Sequence, residues 1–564
     1  MKSGTLLVVA FATAASHWIN TAQAQQDWPV TVAGIQPAAA AWGAAHYIGY
    51  HGPDGSQVYA NSNPPVEWDG ATGKNVLWQT PLPYLGYGGP VVVHDRVFAM
   101  SEPGFESDFP VLTCVDASTG KVLWQREVNH LAIAVPDATA RVHVARTWHD
   151  HVAWRREYLQ LRSELSAASN KPPIEATMRA KGMVSDDPKK KAPPGATPPK
   201  EVVNAGLFWD AWRTGFGGWY PGATFATPCT DGEFVYVATG WRSYACFDAD
   251  GNQKWLQWFP GKGKNDHSDG CGNNRSPLVW NELVIVDNNA FVRALDRKTG
   301  RLVWEVSRAA VGVGQHEIAS PVLFKVGGVD LIWCNGPVAI RLNDGKPFKV
   351  VGWNSSGMMV VANTDEPDIL FLTGGGEHGG WEAKGTGTNP PPAAIQLAFD
   401  GDVLKATLLW TGVEGKPMGS NCSTLAYHAG KVYFWNRTGI ILDAKTGKVL
   451  AGTPGKGGKP GAPNTTQNYA IAGDRIYGLG AGEHGSEKRK DNDGAKVLAQ
   501  VFTLDGKKLA ENALYGPKLE GAFAEMHRTA HTENWFSYSN PFTISGNRIY
   551  VRGCYMLYCI GAKE

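Results

Sequence analysis

Two short stretches of this chain set a carboxylate beside an imidazole between glycines: Gly376-Glu377-His378-Gly379 and Gly482-Glu483-His484-Gly485. Both groups ligate zinc and similar divalent ions where loops converge, so Glu377, His378, Glu483 and His484 are the candidate metal ligands. Adjacent residues of a strand point to opposite faces, so each pair offers one inward ligand unless its glycines bend the backbone. A recurring structural turn would leave the same pattern with no metal. His527 and His531 lie four apart, a spacing that aligns two rings on one helical face. There is no Gly-x-Ser-x-Gly stretch, hence no nucleophile elbow of the hydrolase kind.

A second set is polar and precedes apolar, strand-like runs: Asn273, Asn274 and Arg275; His316 and Glu317; Asn421; Gln467 and Asn468; and Asn534. Such a set suits hydrogen bonding to a sugar, a peptide or a quinone. Asn side chains in these places also satisfy turn backbone. Arg275 stands apart, because an Arg aimed into a cleft calls for an anionic partner.

What positions these residues is a repeat. Ala294-Leu295-Asp296-Arg297-Lys298-Thr299-Gly300-Arg301-Leu302-Val303-Trp304 reads as a strand end, a tight turn and a new strand. Asp296 and Thr299 can bond turn backbone, and Gly300 can take the positive φ of the reversal. Asp116, Gly120 and Trp124 repeat its offsets of four and eight, and Asp443 and Gly447 the first of them, with Ala451 in the Trp place. Asp248, Gly251 and Trp255 form a shorter version, and Asp69, Gly73 and Trp78 a longer one. Upstream, a small residue followed by Pro opens an apolar run and a second strand, as at Gly89-Pro90, Thr227-Pro228, Ser276-Pro277, Ser320-Pro321 and Asn540-Pro541. A repeat of roughly 40 residues made of short strands predicts an all-β propeller.

The repeat starts give eight blades, or seven if the divergent fifth (about 358–410) is not one. The last has three strands, and Asn75 to Thr80 is available to complete it and close the ring. Residues 68–128 supply the closing strand and first blade, and 216–564 the remaining blades. Between them, 129–215 lacks the turn motif and is an insertion. Its Trp154, Tyr158, Leu161 and Leu165 have helical spacing. From Lys171 to Lys200 it is rich in Pro and Lys, and is expected to be a solvated linker with few buried contacts.

Residues 1–24 have the three parts of a signal peptide: Lys2, an apolar core, and Ala22-Gln23-Ala24. Export is therefore expected, with 25–67 as an N-terminal extension. The formal net charge of +1 gives no electrostatic case for nucleic acid or an anionic membrane, and no later segment is apolar enough to span a bilayer. Among the eight Cys, Cys114, Cys246 and Cys559 share the repeat position held by Ala294, where a small apolar side chain is wanted. Cys554 and Cys559 are close enough in sequence to face each other across a hairpin.

The repeated Asp-x-x-Thr-Gly-x-x-x-Trp resembles the tryptophan-docking motif of the PQQ-like (quinoprotein alcohol dehydrogenase-like) propellers, over nearly the whole mature chain outside the insertion. The resemblance implies that Trp78, Trp124, Trp255 and Trp304 each pack on a neighbouring blade. It leaves two functions open, because that superfamily holds PQQ-dependent dehydrogenases alongside non-catalytic propellers. The dehydrogenases carry an adjacent Cys-Cys pair, absent here, and a calcium site of Glu and Asn that no local pattern places in this chain. The expectation is thus a non-catalytic exported module that binds a polar small molecule, a polysaccharide or a protein at its channel face, with no cofactor. The alternative is an oxidoreductase using PQQ and calcium on an alcohol or sugar.

Overall fold

The structure is a computed structural model. It describes residues 48–50, 52–53, 55–84, 86, 88–101, 109–185, 193–207, 226–260, 275–288, 290–311, 320–333, 338–353, 359–373, 392–412, 425–434, 439–452, 465–480, 496–515, 543–553 and 555–563. Among them the strands sort into eight antiparallel four-stranded units, each in simple up-and-down order. In chain order these are 91–127, 229–258, 278–307, 322–351, 359–411, 425–451, 465–515 and 543–560. The eighth takes its fourth strand from Val76–Pro81, which pairs antiparallel with Met556–Ile560 as the sequence led us to expect. First strands of neighbouring units approach one another, so the first strand of each unit is the inner one. The molecule is an all-β propeller.

The third unit shows why the repeat folds this way. Its strands Leu283–Asp287 and Phe291–Asp296 are rich in β-branched and aromatic residues and are almost wholly buried. At the turn that follows, the Thr299 amide donates to Asp296 Oδ1 (2.8 Å) and the Thr299 hydroxyl to the same oxygen (2.7 Å). Those bonds, the hydroxyl's foremost, hold the Asp296 carboxyl below the usual range. Gly300 sits at φ +70°. A bulge between Ala294 and Leu295 then brings Trp304 opposite Ala294. The same register puts Trp124 opposite Cys114, Trp255 opposite Cys246 and Trp78 opposite Cys559. A small side chain across the pair leaves room for the indole. The three thiols are buried and free, and burial pushes those of Cys114 and Cys559 up to about 12. Cys554 lies outside the described residues.

Each indole docks on the next unit's turn. Trp78 Nε1 donates to Ala117 O (3.0 Å), Trp124 to Ala249 O (3.0 Å), Trp255 to Arg297 O (2.8 Å) and Trp304 to Leu342 O (2.9 Å). The ring lies flush against a turn glycine of positive φ: a Cβ on Gly345 would stand 2.8 Å from Trp304, and one on Gly300 2.6 Å from Trp255. The docking role implied for the four Trp is what the geometry shows. Trp410 makes a fifth such contact, to Ala444 O (2.8 Å) and against Gly447. Its repeat was hard to see because the hairpin before it, Ala393–Asp400 and Val403–Thr411, is longer than in the other copies.

Three seams lack a docking Trp and are joined otherwise. The outer strand of the fourth unit pairs in parallel with that of the fifth, Val350 beside Leu404. Between the sixth and seventh, Tyr469 donates its hydroxyl to Tyr433 O (2.7 Å). Between the seventh and eighth, the wedge is Trp68 from the N-terminal segment, 2% exposed, whose amide donates to Asn512 Oδ1 (2.9 Å).

The insertion is a packed helical subdomain of α1 (Leu131–Ala134), α2 (Ala138–Ala167), α3 (Pro172–Ala180) and α4 (Lys200–Asn204). Asp137 caps α2 by accepting from the Ala140 amide (2.7 Å). Leu131, Val144, Trp148, Val152, Val202 and Leu207 form a core with Phe109 of the first unit and Trp241 of the second. This corrects the linker expectation for 171–185 and 193–200. Met178, Met183 and Ala196 are buried, Trp154 donates to Lys181 O (3.2 Å), and Lys181 pairs with Glu157. The Pro residues start helical turns here, as at Pro172 and Pro194, rather than keeping the chain extended. The Lys189–Lys191 cluster lies outside the described residues.

Two outcomes check this account. Trp304→Ala should cost about 3–5 kcal/mol in a denaturant titration, the range for a large buried aromatic. The penalty of Gly345→Ala should shrink in the Trp304→Ala background, where the clashing ring is gone; additive penalties would count against docking on Gly345. The second concerns His130, which has no exposure and stacks on Trp258 at 5.0 Å, with Nε2 3.0 Å from Ala205 O. Burial lowers its pKa from 6.5 to about 4. Between those values the unfolded chain binds the proton and the folded chain does not, so His130 destabilises the fold as pH falls from 6.5 toward 4. His130→Gln should flatten the fall in melting temperature across that window.

Candidate functional site

The inner strands begin at the small-residue/Pro pairs, and the structure gives those small residues a bond. Gly89 donates its amide to Thr227 Oγ1 (2.9 Å), Thr227 to Ser276 Oγ (2.9 Å), and Ser276 to Ser320 Oγ (2.9 Å). Thr543 of the eighth inner strand donates its hydroxyl to Pro90 O. These bonds link the inner strand starts of the eighth, first, second, third and fourth units in turn. The Pro that follows holds the preceding residue extended, so its hydroxyl meets the neighbouring amide. Sequence reasoning took these residues for strand starters; the recurrence of Thr and Ser before Pro was the signal for these bonds.

Arg275, next to Ser276, does not open onto solvent. It is 1% exposed, and its Nη1 lies 3.3 Å from Asp287 Oδ1. Arg308 donates through Nε to the same oxygen (3.0 Å) and pairs with Oδ2. The Arg read from sequence as wanting an anionic ligand has Asp287 of its own unit as an anionic partner. Gln467 and Asn468 fall in the seventh inner strand, Thr465–Ala472. Asn273, Asn274, His316, Glu317, Asn421 and Asn534 lie outside the described residues, as do Glu377, His378, Glu483, His484, His527 and His531. Among the described residues no three His, Cys, Asp or Glu cluster as a metal site would need.

The feature that sequence reasoning missed is the N-terminal segment. Ile48–Gly49 and Gly52–Pro53 form a small hairpin, and Ile48 pairs antiparallel with Thr230 on the free edge of the second inner strand. Val58 and Tyr59 then pair in parallel with Ile471 and Ala472, on the free edge of the seventh. These edges face the axis, so residues 48–50, 52–53 and 55–59 occupy the channel. Tyr50 and Gly55 meet Ser276 to Leu278 and Ser320 to Val322 of the third and fourth units around a small cleft. Tyr59 is buried, with its hydroxyl on Thr543 and the Ile544 backbone, and burial pushes its pKa well up. Gly52 packs on that ring, where a Cβ would come within 2.6 Å of the hydroxyl. From there the chain crosses the seam between seventh and eighth units: Tyr477 donates to Pro64 O (2.7 Å), and Asn512 Nδ2 to Val66 O (2.9 Å). Segments 48–49, 52–53 and 58–59 are too short for a strand pattern to emerge from the sequence.

A family model described as outer membrane protein assembly factor BamB matches residues 66–157 and 207–346. Solved structures similar to the chain include BamB from Moraxella catarrhalis, at 14% identity and TM-score 0.36 over 61% of this chain and 81% of that one. Quinohemoprotein alcohol dehydrogenase from Comamonas testosteroni gives 12% and 0.44 over 93% and 82%. The computationally designed Ika8 protein gives 10% and 0.43 over 86% and 99%. No curated protein matches in sequence.

Removing the Arg275 guanidinium leaves the Asp287 carboxylate buried with one cation instead of two. Arg275→Ala should cost about 1.5–3 kcal/mol in a denaturant titration, the scale for losing a buried hydrogen bond to a charged group, since Arg308 still pairs with Asp287. A loss below about 1 kcal/mol, as at a surface pair, would show that Arg275 is not held in this cluster.

Proposed function

We propose that this PQQ-like repeat propeller is an exported, non-catalytic binding module that takes a protein or polysaccharide partner. The observation that carries the reading is the filling of the channel by residues 48–59, whose backbone pairs with the second and seventh inner strands. PQQ is a flat, tricarboxylated quinone, and a site for it needs an apolar slot, cations for its carboxylates and a metal beside it. Around the axis the described residues offer a hairpin and a ring of strand edges in place of a slot. Arg275 and Arg308 are both directed at Asp287. These features support a reading without the cofactor. Export rests on the signal-peptide pattern of 1–24. Among the described residues no helix is long and apolar enough to cross a membrane.

The test uses the full mature protein, starting near Gln25, titrated calorimetrically with PQQ plus calcium and assayed for reduction of a dye. No heat of binding and no dye reduction are expected. Micromolar or tighter binding, accompanied by dye reduction with an alcohol or sugar, would establish the oxidoreductase reading instead.

A further inference from the structure

We infer that the inner edges of the second and seventh units form a strand-acceptor site for an extended polypeptide, and that residues 48–59 occupy it in cis as a displaceable strand. The chemistry of the site is main-chain pairing. The Ile471 amide donates to Gln57 O (2.9 Å) and the Gly473 amide to Tyr59 O (3.2 Å). Side-chain selection comes from the pocket that buries Tyr59, lined by Thr543 and Ile544 of the eighth inner strand. An exposed sheet edge binds an added strand through its backbone, with pockets for alternate side chains giving specificity. The partner this fits is an extended peptide segment with a Tyr-like aromatic at the Tyr59 position.

The resident strand is held in an imperfect way. Pairing to the second unit rests on one residue pair, Ile48 with Thr230, and pairing to the seventh on two. Between them stands Gln57, 1% exposed, with neither its side-chain nitrogen nor its side-chain oxygen hydrogen-bonded among the described residues. Its backbone is at φ +60°, a region costly for a side chain with a Cβ. A buried amide without partners and a strained backbone both weigh against the bound state and leave it when the segment leaves. The closing strand Val76–Pro81 and Trp68 lie further along the chain and keep their own contacts with the seventh and eighth units. Release of the hairpin together with Val58 and Tyr59 therefore frees two inner edges while those joints remain.

The inference rests on the binding-module reading, and its test is separate. A fluorescein-labelled peptide with the sequence of residues 47–60, and a scrambled version, are titrated by anisotropy into wild type, Tyr59→Ala and Gln57→Gly. The apparent affinity for an added strand scales with the fraction of protein whose site is open. Tyr59→Ala loosens the resident strand and should bind the probe at least about tenfold more tightly than wild type. Gln57→Gly removes both the strain and the unpartnered amide, so it should bind more weakly than wild type. The scrambled peptide should bind none of them. Hydrogen exchange on the unmutated protein gives a readout independent of the variants' folding. The Ile471 and Gly473 amides should exchange faster than the Ile476 and Tyr477 amides in the strand beside them. Equal affinities across the three proteins, binding of the scrambled peptide, or exchange of Ile471 and Gly473 only with the core would each overturn the inference. Were the peptide to fail while PQQ gave no heat, the binding module would stand with its partner on another face. PQQ binding would overturn that reading whatever the peptide did.

Discussion

The contact on which this propeller depends is an indole laid flat on a glycine of the next sheet. The arrangement binds two demands into one residue. The turn needs positive φ, which glycine adopts without steric cost, and the ring needs an approach closer than any Cβ allows. At Gly120, Gly251, Gly300, Gly345 and Gly447 both demands hold at once, with φ between +69° and +83° and ring atoms at 2.6–2.8 Å from where a Cβ would be. The indole N–H reaches a carbonyl of the same turn or its approach, so the large apolar plug carries no unsatisfied donor. Each sheet thereby fixes the turn of its neighbour, and stability is passed around the ring by local contacts, as in other repeat architectures.

Seen from that contact, the exceptions are informative. A ring of sheets fails at its weakest seam, and the seams without a docking indole from the repeat are each joined in another way. The fourth and fifth units share a parallel strand pair, which makes one continuous sheet of eight strands. The seventh and eighth are sealed from outside the repeat, by Trp68 and the backbone on either side of it. This second solution makes the N-terminal segment a structural part of the ring. One run of chain lies against inner strands at 48–59, crosses a seam at 62–70 and closes the eighth sheet at 76–81.

Legibility in the sequence follows the range of the interactions. The Asp-x-x-Thr-Gly turn is made by residues within four positions of one another, so its atoms are all in the motif. The propeller and its closing strand could be read from it. Trp410 was not singled out because its hairpin is longer, which shifts the offset while leaving the docking intact. The α2 helix was visible from Trp154, Tyr158, Leu161 and Leu165. The packing of 171–200 was not, because its burial depends on Met178, Met183 and Ala196 meeting a helix already in place, and composition alone carries no such information. The candidate site was least legible. Arg275 reads as an unspent charge until Asp287, twelve residues on, is seen to face it. The channel reads as open until 48–59 is placed inside.

That last point changes what an inner polar residue means in this molecule. A side chain at an inner strand start ordinarily has two kinds of partner, turn backbone or ligand. Here there is a third, the chain's own N-terminal segment, and the hydroxyls of Thr227, Ser276 and Ser320 are already engaged as acceptors from neighbouring units. Among the described residues the axis then presents strand edges, which read backbone. A backbone-reading site has little intrinsic preference for sequence. Its selectivity comes from the side-chain pocket of Tyr59 and from the competition of the strand already in place. A resident strand that fitted perfectly would close the channel for good, and one that fitted poorly would leave two sheet edges exposed to indiscriminate pairing. Gln57, strained and unpartnered within an otherwise well-packed segment, sets the balance between those two failures.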